Sequence, residues 1–327
     1  MICINVTRLS NLTLLAILSL GVSITVTGQT LIDPSRLSQG IRPDIAAQPL
    51  LRDSNGLVRG TLAEENVFAP QTTGDDDIGL QLILKRQERQ EPFSASIDSA
   101  EYYTDNAANL NKGAQQDWFY VGGINLGYQP RLAGTLYFDT SVSHHWYRYD
   151  QLNRLDYEDG TAAVGFIKLM PKWWNTLWHA HYFYERITQG IDNSPIYQTH
   201  NLRLGVQKTA FIDRLNSLNL SLMANLAFDT TPDTLKRNEY SALTGWNFKI
   251  SPKTVFTLSY RLAYYDYSNL DGRQDWYHNF GATVAYRPTS WCELAATYGY
   301  TLNRSNQEVF SYDAQLAGPS VGLKMKF

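Results

Sequence analysis

From Phe93 onward the chain alternates. In NSLNLSLMANLAFD (216–229), Leu218, Leu220, Leu222, Ala224, Leu226 and Phe228 hold one set of alternate positions, and Ser217, Asn219, Ser221, Asn225 and Asp229 the other. Successive side chains of an extended strand point to opposite faces, so this stretch predicts one apolar and one polar face; the helical period fails over the same residues. TVFTLSYRLAYYDY (254–267) sets Phe256, Leu258, Tyr260, Leu262 and Tyr264 against Thr257, Ser259, Arg261 and Tyr265. DWYHNFGATVAYR (275–287) sets Trp276, Phe280, Ala282, Val284 and Tyr286 against Asp275, Asn279, Gly281, Thr283 and Arg287. Such segments fall near 93–104, 117–129, 134–149, 155–169, 175–186, 195–208, 216–229, 238–250, 254–267, 274–287, 290–303 and 312–327, which predicts twelve strands. Mostly short connections that usually carry Pro (QPRLA, MPKWW, TAFIDRLN, SPK, PTS) alternate with longer ones rich in Asn, Asp and Gly. Five turns and six loops make an even-stranded meander with both ends on the turn side.

A soluble antiparallel sheet also alternates. Two features separate this chain from one. The apolar face persists for about the 9–11 residues that a tilted membrane strand needs. Aromatic residues gather near the strand ends on that face: Trp118 and Tyr128, Tyr240 and Trp246, Trp276 and Tyr286, Tyr298 and Tyr300. Tyr and Trp favour the membrane–water boundary, where one part of the ring is apolar and another hydrogen-bonds. Lipid satisfies no open strand edge, so a spanning sheet must close. The expectation is an all-β, transmembrane, antiparallel up-and-down β-barrel of about 12 strands over residues 93–327, preceded by an irregular N-terminal extension.

The ends add targeting. Arg8 and the apolar stretch LTLLAILSLGVSITV predict a signal peptide over residues 1–28, with small residues up to Gly28 allowing cleavage before Gln29. Residues 29–92 are Pro-, Gly- and polar-rich and predict a mostly disordered periplasmic extension, with a short apolar segment at 78–88 placed at the periplasmic mouth, on the rim or as a partial plug. Cys3 leaves with the signal, so Cys292 has no partner for an internal disulfide. The net charge of −3 and the lack of a basic run argue against nucleic acid as a main partner.

The chain closes on SVGLKMKF, where Ser320, Gly322, Met325 and Phe327 resemble the C-terminal targeting signal of Gram-negative outer-membrane barrels. That resemblance implies recognition by the outer-membrane barrel assembly machinery and a place among outer-membrane lipids. From about Asp75 to Phe327 the chain also resembles a group of uncharacterised bacterial outer-membrane β-barrel proteins, most of all in DDDIGLQLILKRQERQEPFSASIDSAEYYTDN. Some similar barrels are linked to exopolysaccharide export, so the resemblance brings polysaccharide into view beside small polar solutes.

The polar face lines the interior of such a barrel. Its candidates are Asp139, His145, His179, His181, Arg203, Lys249, Arg261, Asp275, Arg287 and Glu293, with Asp98, Glu185, Glu239 and Lys324 sharing the parity. Rings of one sign select ions; this set mixes signs, which favours internal ion pairs. His179 and His181 share a face, as two imidazoles of a metal site would, but spacing assigns no third ligand, so no metal and no cofactor are expected. A lipid-edge hydrolase needs Ser beside His. His144 has the position, yet the facing stretches DGTAAV and Trp118–Tyr120 offer no Ser, so an enzyme is not expected and His144 and His278 read as members of the aromatic belt. Barrels of eight strands are filled and those of sixteen or more are open. Twelve strands leave three readings: a narrow porin-like channel or export conduit for small or linear polar solutes, a non-conducting structural or surface-interaction barrel, and, weakest, a hydrolase.

Overall fold

The computed structural model describes residues 92–267 and 269–327; the signal peptide, residues 29–91 and the plug expected at 78–88 lie outside them. The strands are β1 (Phe93–Thr104), β2 (Asp117–Tyr128), β3 (Arg131–Ala133), β4 (Leu136–Tyr149), β5 (Tyr157–Met170), β6 (Thr176–Gln189), β7 (Pro195–Phe211), β8 (Asn216–Thr231), β9 (Asn238–Ser251), β10 (Thr254–Tyr267), β11 (Arg273–Tyr286), β12 (Cys292–Ser305) and β13 (Tyr312–Lys326). β3 is a three-residue hairpin arm on β4 inside the turn after β2, so β2 pairs directly with β4 and twelve strands span. That arm is why β4 begins at Leu136 rather than at 134.

β1 pairs with β13, and this pairing closes the barrel. At the seam the Phe93 N–H donates to the Phe327 carbonyl at 3.2 Å and the Phe327 N–H to the Phe93 carbonyl at 3.1 Å. The two rings stack with centroids 6.0 Å apart. Ser94 faces Lys326 and Ser96 faces Lys324, which turns the lysines inward and leaves Leu323, Met325 and Phe327 exposed on the outside. A closed ladder leaves no unpaired edge for lipid to meet.

The exterior is the apolar face. Leu222, Leu258, Phe280, Val284 and Leu294 are all exposed and point outward. Aromatic pairs flank this band: Trp246 with Phe256 toward the turn end (6.3 Å) and Tyr264 with Trp276 toward the loop end (5.0 Å).

Two particulars differ from the sequence pattern. β7 runs on to Phe211, three residues past the expected 208, because Thr209 to Phe211 pair in register with Asn219 to Ser217 of β8. In β8 the register slips: Asn201 pairs with Ala227 but His200 pairs with Asp229, so Phe228 is extra. One inserted residue flips every later side chain to the other face. Asp229 therefore sits outward beside His200, not in the lumen, and Thr230 turns inward and is buried.

The interior also holds aromatics. Tyr147 and Tyr157 stack at 4.1 Å with 9° between planes, Phe119 stacks on Tyr149 at 5.0 Å, and Tyr265, Tyr267 and Tyr277 join Ala263 in one buried cluster. They pack the loop-side half of the barrel.

Candidate functional site in the barrel lumen

Alternation sends one residue in two inward, and the pairing registers decide which of them meet. Toward the loop end, Arg273 binds Asp275 at 2.7 Å, with both side chains almost wholly buried. The Arg273 guanidinium also lies over Phe310 at 3.6 Å and over Tyr267 at 4.2 Å. Arg237 crosses the Tyr265 ring at 4.6 Å and donates to the Tyr267 hydroxyl at 3.1 Å. Just below, Glu239 of β9 is ion-paired with Arg261 of β10. In a medium less polarisable than water such pairs are held strongly, and each partner is costly to strand alone.

Beside them, β5 to β8 enclose a polar cavity of about 130 Å³. Asp159 and Glu185 line it from β5 and β6, and Arg203 and Asn225 from β7 and β8, with Arg237 reaching in from the loop before β9. The Arg203 guanidinium is seated on the Phe183 ring at 3.8 Å.

His179 and His181 lie nearer the turn end, and His145 stands level with Asp159, its register partner on β5. His181 Nε2 and the Asp139 carboxylate are 2.9 Å apart, and Asp139 also accepts a 2.8 Å bond from the Gln129 amide. His179 Nδ1 faces His181 Nδ1 at 3.3 Å. His145 stands 3.9 Å from Asp98, which accepts a 3.0 Å bond from Asn125. Each imidazole has a glycine under it. A Cβ on Gly205 would strike His179 Nε2, one on Gly123 would strike His145, and one on Gly165 would strike the Ala180 carbonyl and His181. The register explains the match, since Gly165 pairs with His181 and His179 with Gly205. No cluster of three or more His, Cys, Asp or Glu side chains suited to a metal occurs among the described residues.

The sequence candidates therefore separate. Asp139, His145, His179, His181, Arg203, Arg261 and Asp275 point into the lumen. Arg287 and Glu293 pair at the turn-side rim at 2.6 Å, and Lys249 is exposed there, so these three lie at the mouth rather than in the interior. Asp159, Arg237 and Arg273 are lumen groups that the sequence reading passed over. Asp159 was visible by parity with Thr161 and Ala163; Arg237 and Arg273 lie in or beside loops, where alternation says nothing. On the outside, His144 meets Glu158 at 3.2 Å and packs edge-on against Trp146 at 4.7 Å, with Arg148 on the same glutamate at 2.5 Å. His278 is hydrogen-bonded with the Tyr260 hydroxyl at 2.9 Å.

No family model and no curated protein matches the chain. Among solved structures, it is similar to the COG4313 outer membrane channel from Pseudomonas putida F1, at 11% identity over 72% of this chain and 96% of that one, with a TM-score of 0.53. The NanC porin (10% identity, 70% and 100% covered, TM-score 0.42) and LpxR from Salmonella typhimurium (9% identity, 70% and 99% covered, TM-score 0.41) align more loosely. At these identities the shared property is the fold, that of a transmembrane outer-membrane barrel.

Proposed function

We propose that this barrel is a narrow channel for small polar solutes across the outer membrane. One observation carries the reading: a closed barrel with an apolar exterior keeps inside it a wall of buried carboxylates, guanidiniums, amides and imidazoles around a polar cavity. A barrel that served only as a membrane anchor would gain more stability from an apolar filling, because buried ion pairs are often no better than well-packed apolar side chains. The similarity to an outer-membrane channel supports the same reading. A linear solute such as an exported polysaccharide fits it as the larger case, along the line suggested by the sequence resemblance.

A second reading rests on the inward tyrosines. Tyr265, Tyr267 and Tyr277 are almost completely buried, and such packing favours a barrel closed at its loop end. Single-channel recording from the refolded protein in planar bilayers decides between the two. Small, steady unitary conductance is the expected result. Silence at all voltages would overturn the channel and leave the structural barrel, and ester cleavage without conductance would point to a hydrolase.

A further inference from the structure

We infer that a groove on the outer wall, running across β5 to β11, holds a phospholipid with an anionic headgroup. Its chains lie in the groove and its phosphate is held at the turn end by Lys168 and Lys208. The inference does not depend on whether the lumen conducts.

The pairing registers build the groove. Phe166, Ala180, Leu204, Ala224, Tyr240 and Tyr264 pair in one unbroken outward row from β5 to β10, and Trp276 continues it on β11. The adjoining row starts at Lys168 and Trp178 and runs through Val206, Leu222, Ala242 and Leu262. The alanines keep the floor low between the Phe166 and Trp178 rings at one end and the Tyr264 and Trp276 rings at the other. The result is an open, almost wholly apolar groove of about 1010 Å³. Six strand spacings of about 4.8 Å make the row about 29 Å long. Strands tilted by about 35–45° slant it, so it climbs about 17–20 Å through a hydrocarbon core about 30 Å thick, a little more than one leaflet. That path suits a lipid chain with its head at one end.

Charge decides which end. On β5 the rows lie near the turn end, where Lys168 is exposed two residues before the strand stops at Met170. Lys208 shares the outward parity of Val206, the partner of Trp178. Its backbone is about 12 Å from that of Lys168, two strands across and two residues along, so both side chains can converge on one phosphate. Neither lysine is ion-paired with a carboxylate among the described residues. Tryptophans gather at the same end. Trp173 packs edge-on against Trp178 at 6.0 Å, Trp178 Nε1 donates to Thr176 Oγ1 at 3.0 Å, and the Lys208 ammonium lies 5.5 Å over the Trp174 ring. Trp rings settle at headgroup level, lysine stems lie along apolar surface with the ammonium at the interface, and anionic lipid draws such cations. At the opposite end the outward positions beyond Tyr264 and Trp276 are Asp266 and Gln274, which are paired with each other and offer an anion no cation.

The test titrates the refolded full-length protein in detergent with phosphatidylglycerol or phosphatidylcholine of the same chains, and counts bound lipid by native mass spectrometry. Phosphatidylglycerol is expected to bind saturably and at least tenfold more tightly. Lys168→Gln combined with Lys208→Gln should remove that preference and leave phosphatidylcholine unchanged within twofold. Lys253→Gln is the control, because Lys253 is a turn lysine outside the groove whose Nζ donates to the Pro288 carbonyl; it should keep the preference. The wild-type comparison of the two lipids stands even if a variant fails to fold. Equal binding of the two lipids would overturn the site. So would a preference that Lys253→Gln lowers as much as the paired variant, which would mean diffuse attraction to surface charge. A lipid-free dimer that forms in place of the lipid complex would assign the groove to a second copy of the chain and overturn it too.

Discussion

Replacing Leu222 by Arg puts a charge against lipid. Leu222 lies near the middle of β8, is 59% exposed, and pairs outward with Val206 on one side and Ala242 on the other. Two residues toward the loop end, Ala224 pairs with Tyr240; four residues toward the turn end, Leu218 pairs with Trp246. Leu222 therefore sits between the two aromatic girdles. An Arg at the midplane of a barrel costs about 2–4 kcal/mol, falling toward zero at the interfaces. Tyr240 is close enough for the guanidinium to snorkel part of the way, so the lower half of that range, about 2–3 kcal/mol, is expected. At about 1.4 kcal/mol per tenfold this weakens the folding equilibrium roughly 30- to 150-fold. Ser221 is the control. It points inward between Gln207 and Leu243, where an added Arg stays among polar groups, and a change of about 1 kcal/mol or less is expected. Reversible urea titrations in lipid vesicles, followed by Trp fluorescence, measure both. Equal tolerance, or Ser221→Arg as the worse variant, would refute the assignment of faces on β8 and with it the direction of the neighbouring strands.

Three further outcomes are expected. Gly165→Ala should destabilise by about 1–3 kcal/mol, because its methyl meets the Ala180 carbonyl and the His181 backbone; Gly322→Ala, with nothing within 4 Å of the new Cβ, should stay within about 0.5 kcal/mol, and equal urea midpoints for the two would sink the claim. Arg261→Met should cost toward the lower end of about 3–5 kcal/mol by taking from Glu239 its ion-pair partner while Arg237 and Arg203 remain near, and adding Glu239→Gln should recover part of that, so a double-mutant cycle with no coupling would show the pair is not energetically linked. Deleting Phe327 should leave refolding in detergent largely intact while lowering folded barrel in outer-membrane fractions, read by heat-modifiable migration; it removes two seam hydrogen bonds and one stacked ring, and wild-type levels in the membrane would reject a role for Phe327 in assembly.

Alternation carried most of the fold. Side-chain direction along a strand is a local property of the backbone, and the contrast between lipid and lumen repeats it in twelve strands, so Leu222 out and Ser221 in could be read from the chain. The terminal strand could be read the same way, with Leu323 and Met325 on the outer face of β13 and Phe327 exposed just past its end. Parity also told which polar residues face the interior, Asp139, His181 and Arg261 among them. What it could not tell was who meets whom. The bulge at Phe228 moves Asp229 outward, though NLAFDT alternates as smoothly as any other stretch, because an inserted residue shows only against a partner strand. Parity already set Tyr265 with Arg261 on the inner face, but only closure of the barrel packed it with Tyr267 and Tyr277 into one buried cluster. Gly165 lies beneath His181, and Asp139 reaches the same imidazole from β4, through registers set by the whole ladder. Strand faces depend on φ and ψ at each residue; the cavity depends on how twelve strands are staggered around a circle, which no single segment contains.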